Sequence, residues 1–210
     1  YIPTLSPPMV ALLTPWLATR PWFPGAFDVR RVAACRFDDP AGEVGIETFL
    51  VQADDGPVLH VPVTYRGAPL PGGDASLIGI AQHSVLGTRW IYDGCGDPVW
   101  ASALATAVLT GGTQAVELIE IDGRLQAREP TATLLGSGTP GTAVGDINAV
   151  SYYDAGPTTV VRGGGIEIVV ARVVGAELPA GQTLTGRWAG GGPALLASVR
   201  PARSVGAVAE

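Results

Sequence analysis

The sequence predicts an α+β protein built mostly of antiparallel strands. Three observations carry that expectation. Short runs of β-forming residues recur along all 210 residues, separated by Gly, Pro and Asp turns. Helical periodicity is confined to two segments, 9–20 and 98–110. The alternation of strand and helix that would build a parallel sheet is missing.

The first segment, M-V-A-L-L-T-P-W-L-A-T-R, places Val10, Leu13, Trp16 and Leu17 on one helical face. Pro15 would break a long helix, so a short or two-piece helix is expected, ended by Pro21, Pro24 and Gly25. Residues 30–37 read as a strand that stops at the turn D-D-P-A-G (38–42). Residues 44–53 alternate, and the turn D-D-G-P (54–57) joins them to 58–65 as a hairpin. Pro62 inside the second of these strands predicts an edge or a bulge.

Residues 66–74 read as loop, 77–81 as a short apolar strand and 88–92 as another strand. Asp97 followed by Pro98 is the expected start of a helix, and Gly111-Gly112 its stop. Trp100, Leu104, Ala107 and Val108 give this helix an apolar stripe to bury against the sheet. Residues 115–121, the turn Asp122-Gly123 and 124–128 form a second hairpin. A loop is expected over 136–145, then strands at 147–153, 158–162, 166–174, 183–189 and 194–200. The chain divides into an α+β portion, 1–112, and an all-β portion, 113–210, packed on it or continuing it.

Apolar residues make up 47% of the chain and charged residues 15%, enough to fill a core. The net charge is −6 with no basic stripe, which excludes a nucleic-acid binder. All thirteen basic residues are Arg. A disulfide between Cys35 and Cys95 is arithmetically possible, but a chain this size does not need one, and buried free thiols are expected. Two Cys and two His without tight spacing predict no metal, and nothing predicts a cofactor. No run of eighteen apolar residues would span a membrane. The opening residues lack a basic start and are broken by prolines, so a cytoplasmic protein is expected.

Several constellations could carry chemistry. Asp38, Asp39, Glu43 and Glu47 could supply the paired carboxylates of a glycosidase, though Asp38-Asp39-Pro40 also reads as a turn. Ser76 or Ser84, His83 and Asp93 could be assembled as a triad, but no G-x-S-x-G elbow accompanies them. Arg66, His83, Arg89 and Asp93 could line a small polar binding site, because Y-R-G and R-W-I-Y-D are unusual chemistry for plain strand ends. The Gly-rich stretches match neither a P-loop, which needs a Lys, nor a dinucleotide fingerprint. Trp16 and Trp100 read as core. Trp22, Trp90 and Trp188 are either core or platforms on which sugars could stack.

R-F-D-D-P-A-G-E-V-G-I-E (36–47), V-P-V-T-Y-R-G-A-P-L (61–70) and I-Y-D-G-C-G-D-P (91–98), with L-L-T-P-W-L-A-T-R-P-W-F-P-G (12–25), resemble the N-terminal cap domain of bacterial maltokinases. The resemblance covers roughly residues 9–112. Pro21 departs from the pattern by interrupting the cap's Arg-Trp pair. Maltokinases phosphorylate maltose with ATP, and their cap is cystatin-like, a curved antiparallel sheet with helices packed on it. The whole chain also resembles stand-alone cap-like proteins, often labelled 1,4-α-glucan branching proteins. The kinase loop H-G-D-x-H-x-x-N and the (β/α)8 pattern of a branching enzyme are both missing. The resemblance therefore implies a non-catalytic binding or regulatory module of maltose, trehalose or α-glucan metabolism. It would have a protein partner and possible carbohydrate ligands. The alternative is a small-molecule binding protein or enzyme using the polar site around Arg66, His83, Arg89 and Asp93.

Overall fold

A computed structural model describes residues 4–25, 28–121 and 123–202. The fold is α+β and its sheets are antiparallel. The first sheet holds β1 (Leu5–Ser6), β2 (Val29–Phe37), β3 (Gly45–Ala53), β4 (Val58–Arg66), β5 (Leu77–His83) and β6 (Gly87–Asp93), ordered β1-β5-β6-β4-β3-β2. Helix α1 (Met9–Leu17) precedes β2 and helix α2 (Pro98–Thr110) follows β6. A detached hairpin comes next, β7 (Glu117–Ile121) with β8 (Arg124–Arg128). The Asp122 half of its expected turn lies outside the described residues.

The second sheet holds β9 (Ala132–Gly136), β10 (Ser151–Ala155), β11 (Thr158–Gly163), β12 (Ile166–Ala171), β13 (Gln182–Trp188) and β14 (Gly191–Pro201). Its order is β10-β11-β12-β14-β13-β9. Among the described residues no helix is long and apolar enough to cross a membrane.

Both faces of the first sheet are covered. Phe49, Val51, Leu59, Val61 and Val63 pack with Leu13, Trp16 and Leu17 of α1. Ile46 and Leu50, pointing the other way from β3, join Ala33, Cys35 and Phe37 in a second core. That burial on both sides explains why Phe49, Leu50 and Val51 follow one another in β3, departing from the alternation expected over 44–53, and why β4 is buried on both faces. The second core also contains α2 and the inner face of the second sheet, including Leu134, Ile168, Val170, Leu184 and Val199. Helix α2 thus fills the space between the sheets. It packs on β9, β11, β13 and β14 rather than on the first sheet alone.

Local signals act as their chemistry dictates. Pro15 stands seventh in a helix of only nine residues, so its missing N–H costs the bond to the Ala11 carbonyl, and the helix ends two residues later, as a short helix was expected to. The Asp97 carboxylate accepts from the Val99 amide, Pro98 opens α2, and Gly111 closes it with φ 70°. Cys35 and Cys95 are free and buried. Burial, with Glu47 beside it, raises the Cys35 thiol to about 12.

Pro62 corrects the expectation of an edge strand or bulge. It sits in β4, between β3 and β6. Strand β4 pairs with β6 only from Val63 to Arg66. Further back on that side, the His60 amide donates to the Arg172 carbonyl, and the Val174 amide to the Val58 carbonyl, each at 2.9 Å. Pro62 occupies the gap between these pairings, where a missing N–H costs no ladder bond.

Candidate functional site

The densest polar chemistry lies in the turn Tyr92–Pro98 and the segments that meet it. Register places Thr64 beside Tyr92 and Val63 beside Asp93. Residues 64 and 66 therefore face one side of the sheet and Asp93 the other.

On the first side, Asp97 is fully buried and receives four donors. The Thr64 hydroxyl and Arg66 Nε donate to Oδ2, each at 2.7 Å; Arg66 Nη2 at 2.7 Å and the Val99 amide at 2.9 Å donate to Oδ1. One carboxylate thereby caps α2 and anchors β4. The Tyr92 hydroxyl accepts from the Leu70 amide at 2.9 Å and pins the loop after β4.

On the other side, Asp93 and Arg172 form a fully buried ion pair between the two sheets. Arg172 Nε donates to the Thr159 hydroxyl at 2.7 Å, and that hydroxyl donates to Asp154 at 2.5 Å. The Trp22 indole N–H also donates to Asp154, at 3.2 Å, and the Arg172 guanidinium stacks 5.0 Å from the Trp22 ring centroid. The network ties the loop after α1, the end of β6, and β10 through β12 into one unit.

His60 lies against Arg172, fully buried; its ring makes no side-chain hydrogen bond and has only the Leu196 and Ala171 backbone close by. Burial, reinforced by the Arg172 charge, lowers its pKa to about 3. An unfolded histidine titrates near 6.5, so between those values the unfolded chain holds one more proton. Stability contributed by the neutral ring is present above pH 6.5 and is lost as pH falls. Denaturation at pH 7 and pH 5 should show a loss of about 2 kcal/mol from this group. His60→Leu should flatten that slope, and parallel curves for variant and parent would contradict the assignment.

The four residues singled out as a polar site take different places. Arg66 is committed to Asp97, and Asp93 to Arg172 on the opposite face. Arg89 lies beside Gly67 and donates to the Thr88 carbonyl at 3.0 Å. His83 sits at the tip of the β5–β6 hairpin, its Nδ1 accepting from the Val85 and Leu86 amides at 3.2 and 3.0 Å. Arg66 and Arg89 thus come near one another through the Arg66-Gly67 link, while Asp93 and His83 lie apart from them. Nor do Ser76 and Ser84 meet His83 as a triad. The Ser76 hydroxyl donates to the Gly73 carbonyl, and the Ser84 hydroxyl accepts from the Thr4 amide.

The acidic cluster is structural too. Asp39 accepts from the amides of Ala41, Glu43 and Val44, which shapes the 38–44 turn. Glu47 accepts from the Tyr65 hydroxyl at 2.6 Å, and burial raises the pKa of both groups. Among the tryptophans, Trp22 is buried with Trp16 and Trp100, while Trp90 and Trp188 are partly exposed. No group of three or more His, Cys, Asp or Glu among the described residues could hold a metal ion.

Sequence reasoning missed Arg172, Thr159 and Asp154. The usable signal was the single Arg inside the apolar run I-E-I-V-V-A-R-V-V (166–174). A charge at such a position requires a buried partner.

Residues 16–97 match the family model of the maltokinase N-terminal cap domain. The match begins at Trp16 in α1 and ends at Asp97, the cap of α2. It covers less than half of the chain and none of the second sheet. No curated protein matches the chain.

Proposed function

We propose that this chain carries a maltokinase-cap-type module that acts by binding rather than catalysis, in cytoplasmic maltose, trehalose or α-glucan metabolism, and that it engages a protein partner. The observation that carries this reading is how the cap's polar signature residues are used. Asp39, Glu47, Tyr65, Arg66, Tyr92, Asp93 and Asp97 each hold a partner inside the fold. Residues so committed build a rigid scaffold and are poorly placed to move protons or bind a reacting group. The link to maltose and glucan rests on the family match over 16–97. Ile80, Val85 and Leu86 expose apolar surface around the β5–β6 hairpin, a suitable contact for a protein partner.

Two measurements test the reading. Purified chain incubated with ATP and maltose, trehalose, glucose or glucosamine, or with amylose, should show no turnover. A rate above about 0.1 per second, low for an enzyme, would refute it. Affinity capture from native lysate should recover an enzyme of maltose or glucan metabolism. Recovery of a tightly retained small metabolite and no protein would favour the small-molecule alternative.

A further inference from the structure

The two large sheets have four edges, and three of them are closed. On β2, the Thr131 hydroxyl accepts from the Ala34 amide at 2.7 Å and donates to the Ala34 carbonyl at 2.9 Å. The Ala115 amide donates to the Arg36 carbonyl at 2.8 Å, and a bulge between Arg31 and Ala33 bends the rest of that strand. On β9, the Gly136 amide donates to the Gly112 carbonyl at 2.9 Å and the Leu134 amide to Gln114 Oε1 at 2.7 Å. Strand β1 is two residues long and runs into Pro7 and Pro8. Such devices keep an edge from pairing with another chain. Strand β10 carries no such cap or bulge, and no proline lies within it. We propose that β10 pairs with β10 of a second copy of this chain, antiparallel about a two-fold axis at Tyr153, joining the second sheets of the two copies edge to edge.

Register fixes which groups are open. The two-residue turn Gly156-Pro157 closes the β10–β11 hairpin with Ala155 opposite Thr158, so Ala155, Tyr153 and Ser151 bond to β11. The amides and carbonyls of Tyr152 and Asp154 point the other way and meet no partner among the described residues. With the axis at Tyr153, Tyr152 of each copy stands opposite Asp154 of the other, and all of these groups are satisfied. The whole of β10 is then used. An axis at Asp154 would set two carboxylates against each other, and one at Tyr152 would draw in Val150, which lies before the strand.

The side chains agree with this register. Tyr153 lies on the outer face, 49% exposed, with the Arg162 guanidinium 5.7 Å from its ring centroid. Arg162 is itself braced by Glu167, to which its Nε donates at 2.9 Å. The ring is therefore held before a second copy arrives, and less freedom is lost on pairing. Across the axis it meets its own counterpart, a favourable aromatic cross-strand pair. Ser151 and Ala155, both exposed and small, stand opposite one another. On the inner face Asp154 is tied to Trp22 and Thr159, which fixes the strand from behind. A foreign strand would meet the same open groups. The second copy is favoured because β10, paired with itself, opposes no like charges.

Self-pairing is independent of the metabolic role proposed above. A five-residue strand makes a small interface, so a reversible dimer is expected at about 100 µM chain rather than a tight one. Sedimentation velocity of the full chain from about 5 to 500 µM should show the mass rising toward that of a dimer, as mass action requires. Over the same range, hydrogen exchange at the Tyr152 and Asp154 amides should slow, while exposed amides elsewhere keep their rates. Tyr153→Lys sets like charges across the axis and should hold the chain monomeric, whereas Tyr153→Phe should leave the dimer intact. A monomer at the highest concentration, or a dimer indifferent to Tyr153→Lys, would overturn the pairing. If the lysine variant failed to fold, exchange at Tyr152 and Asp154 that did not change with concentration in the parent would overturn it alone.

Discussion

Arg172→Leu should cost about 3–5 kcal/mol of folding stability, a large part of what a typical domain possesses. The guanidinium is fully buried and so is its partner Asp93. Truncation would leave the Asp93 carboxylate in the core with weak neutral donors from Cys95, whose amide lies at 3.3 Å and whose thiol is beside it. It would also remove the stack on Trp22 and the bond to Thr159. An uncompensated buried charge is the costliest of these losses. The pair itself is not the source of comparable net stability, because both ions were desolvated to form it. Replacing both, Asp93→Leu with Arg172→Leu, should therefore recover much of the loss. Urea denaturation at neutral pH of the parent, both single variants and the double variant measures this as a coupling energy. A single-variant loss below about 1 kcal/mol would show that water or neighbouring groups rescue the carboxylate.

The same pair shows where reading the sequence stops. Asp97-Pro98 is legible because helix capping is local: an acceptor, then a residue with no N–H to satisfy. The 44–65 hairpin is legible for the same reason, since its turn chemistry is local and its two strands are adjacent in sequence. Asp93 and Arg172 are separated by 79 positions, and nothing near either names the other. Lone charges in apolar strands announce only that a partner exists. The expectation for Pro62 failed because the strand reading assumed one neighbour along the whole of each edge. Strand β4 instead changes partners partway, from β6 to residues 172–174.

The polar residues that looked like a site were legible as unusual and not as to their use. Arg66 and Asp93 stand near one another in any β4–β6 pairing, yet period-two alternation sends them to opposite faces. The register that decides this comes from the fold of the whole sheet.

Trp100→Ala should cost about 3–5 kcal/mol, the usual range for truncating a core aromatic. Trp100 is fully buried and the largest such side chain among the described residues. It stands at the start of α2, in the core shared by both sheets, and its indole covers Gly94. A Cβ at Gly94 would lie 2.8 Å from the ring. The indole nitrogen has no hydrogen-bond partner, so the loss comes from packing rather than from a broken polar contact. The surroundings resist collapse into the void. The turn below the ring is fixed by Asp93 and Asp97, and α2 is gripped by β9, β13 and β14. A cavity that cannot close costs more than the transfer of the missing atoms. Trp100→Phe, which keeps a ring in place, should lose about half as much or less, and it serves as the measurable variant should the alanine form fail to fold. Denaturation midpoints of the three proteins order the effect. If the alanine variant lost less than about 1 kcal/mol, α2 would not be the shared support on which both sheets depend.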